Sequence, residues 1–195
     1  GGQFQAQKEA SRKILLFGLL ALIGIALILY MHFNSPMIMG QIMLTIPFAF
    51  IGGIALLFLT NRTLTIASMI GFITLCGIAS RNGIMMISHY LHLMKHEGES
   101  FTQEMIIRGS LERLVPVLMT AMVASLALLP LVFAQGQPGS EILHPVAVVI
   151  VGGLISSSLL DMIVTPTLFY NFGKNAAIQS NQERMNPLSQ EALDV

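Results

Sequence analysis

Five stretches of this chain stay apolar long enough to cross the roughly 30 Å hydrocarbon layer of a bilayer as helix. They run approximately from Lys13 to Phe33, Met37 to Leu59, Ile66 to Leu91, Leu114 to Phe133 and Pro145 to Phe172. Within them the apolar residues are continuous, without the one-sided spacing of a soluble helix. Of the 195 residues, 54% are hydrophobic and 10% charged, against about 25% charged in a soluble domain. Too little polar surface remains to shield such segments in water. The fold class is therefore all-α integral membrane, with five transmembrane helices.

Local signals refine the boundaries. Ser35 before Pro36 suits an N-cap followed by proline at the first helical position, and Pro47 is expected to kink the second span. Ala49 with Gly53, and Gly152 with Ser156, place small residues four apart, which lets helices approach closely. Between the third and fourth spans, Ser100 followed by Gln103 has the form of a capping box. Ile107, Leu111 and Leu114 then share one face, leaving Glu104, Arg108 and Glu112 to face water. This predicts one short amphipathic interfacial helix over about 100–112. Residues 1–12 read as a connector, 13–173 as the five-helix domain, and the polar tail 174–195 as disordered. The opening Gly1-Gly2-Gln3-Phe4, with no initiator methionine or signal peptide, reads as part of a longer protein.

Ten basic residues balance ten acidic ones, so nothing points to nucleic acid as a partner. Lys95, Arg108, Arg113, Lys174 and Arg184 fall on one side of the membrane, and Lys8, Arg12, Lys13 and Arg62 on the other. With the first group discounted as the edge of an upstream domain, the 92–113 loop and the tail are expected in the cytoplasm. The single Cys76 excludes an internal disulfide framework.

Arg81 is the most unusual residue in the spans. Its guanidinium stays charged, and at a bilayer centre it costs roughly 3 kcal/mol on insertion scales. Thr74 and Ser88 lie two turns either side on nearly the same face, and Asn82 adds a polar neighbour. A buried structural arginine or a snorkelling one would be the plainer reading. Its depth, near the middle of the span, favours a functional role with a carboxylate or a water-filled path. Asp161, with Ser157 and Thr165 one turn away on either side, is better read as structural, although it could join a polar cluster. Thr120, in "VPVLMTAMVAS", would most often bond a carbonyl of its own helix.

His89, His92 and His96 share one helical face, a spacing that could hold a transition metal. Interfacial histidines near a helix C-terminus are the preferred reading. The thirteen methionines read as packing rather than as Cu(I) ligands. No metal site is expected within this chain. No H-E-x-x-H, G-x-S-x-G or Walker loop occurs, so no enzymatic activity and no cofactor are expected, and the energy for any transport must come from elsewhere.

Four segments, "GGQFQAQKEASRKILL", "GIASRNGIMMISHY", "GSLERLVPVLMTAMVASLALLPLVF" and "GGLISSSLLDMIVTPTLFYNFG", occur in this order. Together they resemble the C-terminal part of resistance–nodulation–division efflux pumps, most nearly the heavy-metal efflux branch, over about residues 1–173. The resemblance implies the last five helices of a twelve-helix protomer, following the end of a periplasmic domain. It implies a homotrimer in the inner membrane of a Gram-negative envelope, in contact with membrane lipid. A periplasmic adaptor and an outer-membrane channel would be its partners, with protons exchanged for heavy-metal cations. Arg81 and Asn82 match the family's basic residue and following Asn, and Thr120 the Thr of its "LMT" context. Arg113 matches the Arg at the start of that helix. These residues would form the basic side of a proton relay, with Thr74, Ser88 and Asp161 as supporting polar groups and the carboxylates on a helix outside this sequence.

The fifth span has one methionine, Met162, and position 81 holds Arg. Both lean away from monovalent copper or silver and toward zinc, cobalt, nickel or cadmium. A multidrug or lipophile exporter of the same superfamily, or a non-transporting polytopic module of related fold, remains an alternative.

Overall fold

A computed structural model describes the backbone of residues 2–60 and 64–191, and the side chains of residues 5–60, 64–174 and 178. Arg62, counted in the charge asymmetry above, lies outside the described residues, as does the very end of the tail. Five helices follow in order: α1 (Gly2–Phe33), α2 (Pro36–Leu59), α3 (Ile66–His96), α4 (Gln103–Phe133) and α5 (Ser140–Glu191). Each contains a segment long and apolar enough to cross a membrane, and no strand occurs among the described residues. The chain is a multi-pass membrane protein.

The caps show why the breaks fall where they do. Ser35 is extended and its Oγ accepts from the Ile38 amide at 3.5 Å, with Pro36 inside the first turn. Ahead of α3, Thr65 and Ser68 form a reciprocal capping box. It was not flagged in the sequence because Ser, not Glu or Gln, stands at its third position.

The 100–112 segment requires two corrections. Its N-cap is Thr102, whose Oγ1 accepts from the Met105 amide at 3.3 Å. Gln103 is the first helical residue and so cannot close a capping box with Ser100. The amphipathic turns also form no separate helix. They continue into the fourth span through Pro116, which lies within α4.

The tail differs from expectation too, since α5 stays helical to Glu191. Ala176, Ala177, Gln179, Gln182, Glu183, Arg184 and Met185 are in or near the better helix formers, and polarity alone does not end a helix.

Helix α5 is the hub, packed against α2, α3 and α4. It runs antiparallel to α2. Gly52 meets Gly152, Ser156 Oγ donates to the Phe48 carbonyl at 2.9 Å, and Gln41 Nε2 donates to the Leu168 carbonyl at 3.4 Å. It runs parallel to α3, with Gly153 against Leu75 and the Phe169 ring 4.9 Å from that of Tyr90. The α2–α5 approach is closest at Gly52, where any Cβ would overlap the Gly152 carbonyl and Ser156 Cβ. Of the small residues marked in the sequence, Gly152 and Ser156 lie at this crossing. Gly53 faces Phe72 and Val149 instead.

One core cluster, with Ile38, Ile42, Ile87, Tyr90 and Phe169, fills the end that carries the α3–α4 connection. A second, with Ala49, Leu75, Val148 and Val149, fills the other half. By contrast α1 is mostly exposed, including Leu16, Phe17, Leu20 and Ile28. That surface is apolar and suits lipid or protein within the membrane.

Candidate functional site

A cavity of about 200 Å³ opens between α3 and α4, with α5 behind it. Arg81, Asn82 and Met85 line it from α3, Val117 and Thr120 from α4, and Leu154 from α5. The three residues expected to form the relay, the adjacent Arg81 and Asn82 and the distant Thr120, therefore stand around one space. Arg81 and Asn82 are adjacent on a continuous helix, and their side chains diverge by about 100°. Asn82 is consequently buried against the core, while Arg81 is exposed on the outer side. Among the described residues no carboxylate pairs with Arg81.

The hydroxyl of Thr120 donates to the Val117 carbonyl at 2.9 Å, the self-bonding expected of a threonine in an apolar helix. Its oxygen lone pairs remain free to accept. The cavity thus presents a fixed positive charge, an amide and a hydroxyl in an apolar wall, an arrangement suited to an anion, a carboxylate or a short file of water.

The supporting residues divide. Thr74 is exposed, donates to the Ile70 carbonyl at 3.0 Å, and does not line the cavity. Ser88 is half-buried and lies outside it as well. Arg113 is half-buried nearer the α3–α4 connection, with Nη2 3.5 Å from His89 Nδ1.

A charged network missed in the sequence closes that end of the bundle. His89 Nε2 lies 2.7 Å from Glu112 Oε2. If Arg113 donates to Nδ1, the proton on His89 sits on Nε2 and is directed at Glu112. Arg108 then bridges Glu112 at 2.9 Å, Glu97 at 3.0 Å and Glu99. No spacing within α3 could supply this carboxylate to His89, because Glu112 comes from the next helix. The rings of His92 and His96 pack at a 55° tilt with centroids 4.5 Å apart. Among the described residues no group of three or more His, Cys, Asp or Glu is placed to hold a metal ion.

Asp161 is 2% exposed. Neither of its carboxylate oxygens has a hydrogen-bond partner, and the same holds for Ser158 Oγ and Thr165 Oγ1. Ser157 donates to the Leu154 carbonyl at 3.4 Å, so the polar residues around Asp161 do not form a bonded cluster. His144, which no sequence signal marked, is also buried, with Nδ1 3.1 Å from the Leu131 carbonyl.

Comparison with known proteins gives this geometry a context. Residues 1–173 match the AcrB/AcrD/AcrF family. Protein HelA of Legionella pneumophila is 38% identical over 94% of this chain and 17% of its own length. The cobalt-zinc-cadmium resistance protein CzcA of Cupriavidus metallidurans is 37% identical over 87% of this chain and 16% of its own. A crystal structure of a heavy metal efflux pump superposes with a TM-score of 0.77 at 35% identity, covering 88% of this chain and 17% of that one. The chain thus spans 16–17% of the length of these curated relatives. The resemblance to heavy-metal efflux pumps seen in the sequence is borne out.

Proposed function

The chain belongs to the AcrB/AcrD/AcrF family, and on that premise we propose that it forms the C-terminal transmembrane portion of a proton-driven exporter of heavy-metal cations. The observation that carries the reading is the convergence of Arg81, Asn82 and Thr120 on one cavity between α3 and α4. A cation in an apolar wall is held at a cost, and Arg81 has no anion among the described residues to offset it. A carboxylate from a neighbouring membrane helix would supply that anion. When the carboxylate takes a proton, the attraction to Arg81 disappears and α3 is released. When it loses the proton, the pair re-forms. That difference in pairing is the differential interaction a proton needs in order to drive a conformational change.

The remaining assignments follow from the same reading. The protomer would act as a homotrimer in the bacterial inner membrane, with a periplasmic adaptor and an outer-membrane channel as partners. The substrate would be a divalent cation such as zinc, cobalt, nickel or cadmium. A metal-resistance relative and a heavy metal efflux pump structure support that substrate class. Among the described residues no three His, Cys, Asp or Glu are grouped to hold a metal ion, and on this reading the selective site would lie in the rest of the protein.

The test uses the full-length protein in vesicles with a trapped pH-sensitive dye. An imposed pH gradient is expected to drive Zn²⁺ or Cd²⁺ movement with opposite proton flow. Cation movement that ignores the gradient would overturn the reading.

A further inference from the structure

Asp161 is a buried carboxyl that the relay around Arg81 does not use. Its place follows from contacts on either side of it along α5. Against α3, Gly153 meets Leu75 and Phe169 meets Tyr90, which puts Asp161 level with Asn82 and Gly83. Against α4, Ser158 shares a hollow with Leu118 and Ala121, and His144 bonds the Leu131 carbonyl. Asp161 is therefore level with Val117, one helical turn from Arg113. It also lies two turns along α5 from Leu154 on nearly the same face, and Leu154 lines the cavity of Arg81 and Thr120. The carboxyl stands directly behind the proposed relay, at its depth.

The ionisable groups on the surrounding helices are few. Helix α2 has none. Helix α3 offers Cys76, Arg81, His89 and Tyr90 toward the core and its margins, and α4 offers Glu112 and Arg113. None of them bonds Asp161, whose two oxygens are unpartnered, and Arg113 Nε is itself buried without an acceptor. An ionised carboxylate in such surroundings has no counter-charge bonded to it among the described residues, and its burial would cost far more than a neutral acid's. The neutral acid has one O–H to place and no charge to compensate.

We propose that Asp161 is a second proton-binding site of the transmembrane machinery, protonated in the closed packing seen here and released to pair with Arg113 when α5 moves against α4. In the step, a water-borne proton forms an O–H bond with the carboxylate from one aqueous side. That bond later breaks, the proton returns to water on the other side, and the carboxylate is held by the Arg113 guanidinium. The role rests on the proton-driven reading above, but the presence of the proton does not.

Two measurements on the full-length trimer test this. In the infrared spectrum at neutral pH, the wild type should show a buried carboxylic acid C=O stretch that shifts in D₂O, and Asp161→Asn should lose it. In vesicles, Asp161→Asn should reduce gradient-driven Zn²⁺ flux by about tenfold, with Asp161→Glu recovering part of the flux at equal trimer content. Identical infrared bands in wild type and Asp161→Asn would overturn the proton site. Wild-type flux and pH profile in Asp161→Asn would overturn its role in transport. An assigned Asp161 band in a wild-type protein whose Zn²⁺ flux ignores the gradient would sink the proton-driven reading instead, so the two failures are distinguishable.

Discussion

Arg81 and Thr120 line opposite walls of one cavity, Arg81 from α3 and Thr120 from α4. The relationship sets a charge that cannot be neutralised on one helix against a hydroxyl on its neighbour. If a carboxylate outside this chain alternately pairs with Arg81 and releases it, the α3–α4 packing is what must respond.

Arg81→Ala in the full-length pump is expected to lower gradient-driven Zn²⁺ transport by about tenfold or more, the effect of removing roughly 1.4 kcal/mol or more from the driven step. Arg81→Lys should keep part of the activity, because a positive charge remains while the planar, multi-donor head is lost. Arg81 is exposed within this chain, so neither change empties a packed core. Transport and trimer content measured on the same samples decide the matter: normal transport by Arg81→Ala would make the arginine structural.

Arg81 was legible in the sequence because a charge in an apolar helix has few uses, whereas Thr120 joined the proposed relay only through the family resemblance. Ser35 was legible because capping is a local event. What escaped depended on partners distant in sequence. Glu112 reaches His89 only once α3 and α4 fold back on each other. Gly52 lies beside the flagged Gly53, yet only the helix rotation turns it toward Gly152. The merging of the 100–112 segment with the fourth span was hidden for a different reason. An amphipathic turn and an apolar span differ in pattern, whereas the helix runs through both, missing at their junction only the amide hydrogen that Pro116 lacks.

His92→Ala combined with His96→Ala is expected to leave Zn²⁺ flux and metal affinity unchanged. The two rings lie against each other, but no third ligand stands near enough to make a site among the described residues. His89 is kept intact in this variant because it bridges toward Glu112 and Arg113. Metal-binding calorimetry on the purified protein checks the expectation, and a loss of one equivalent would contradict it.

Arg108→Ala removes three ion pairs at once and is nonetheless expected to leave stability nearly unchanged. All of the partners are at least partly exposed, so water and salt can replace what the guanidinium supplied. Denaturation of the detergent-solubilised protein at low and high salt tests this. The small loss should shrink further as salt is added, and a large, salt-independent loss would mean that the network is shielded in the full assembly.

The largest destabilisation is expected where helices touch backbone to backbone. Gly52→Val and Gly152→Val should each cost about 1–3 kcal/mol, because a side chain at either position would meet the facing helix's backbone. Gly24→Ala supplies the contrast. Nothing lies within 4 Å of a Cβ placed there, and replacing a mid-helix glycine should be neutral or stabilising by up to about 1 kcal/mol. Ser156→Ala, at the same α2–α5 crossing, removes one interhelical hydrogen bond to the Phe48 carbonyl without adding bulk. It should fall between these extremes, near 0.6 kcal/mol on the scale of such bonds in membranes. The order of the four variants in unfolding by a denaturing detergent separates packing from hydrogen bonding at this crossing. If Ser156→Ala proved as damaging as Gly52→Val, the hydrogen bond rather than the close approach would be holding α2 to α5.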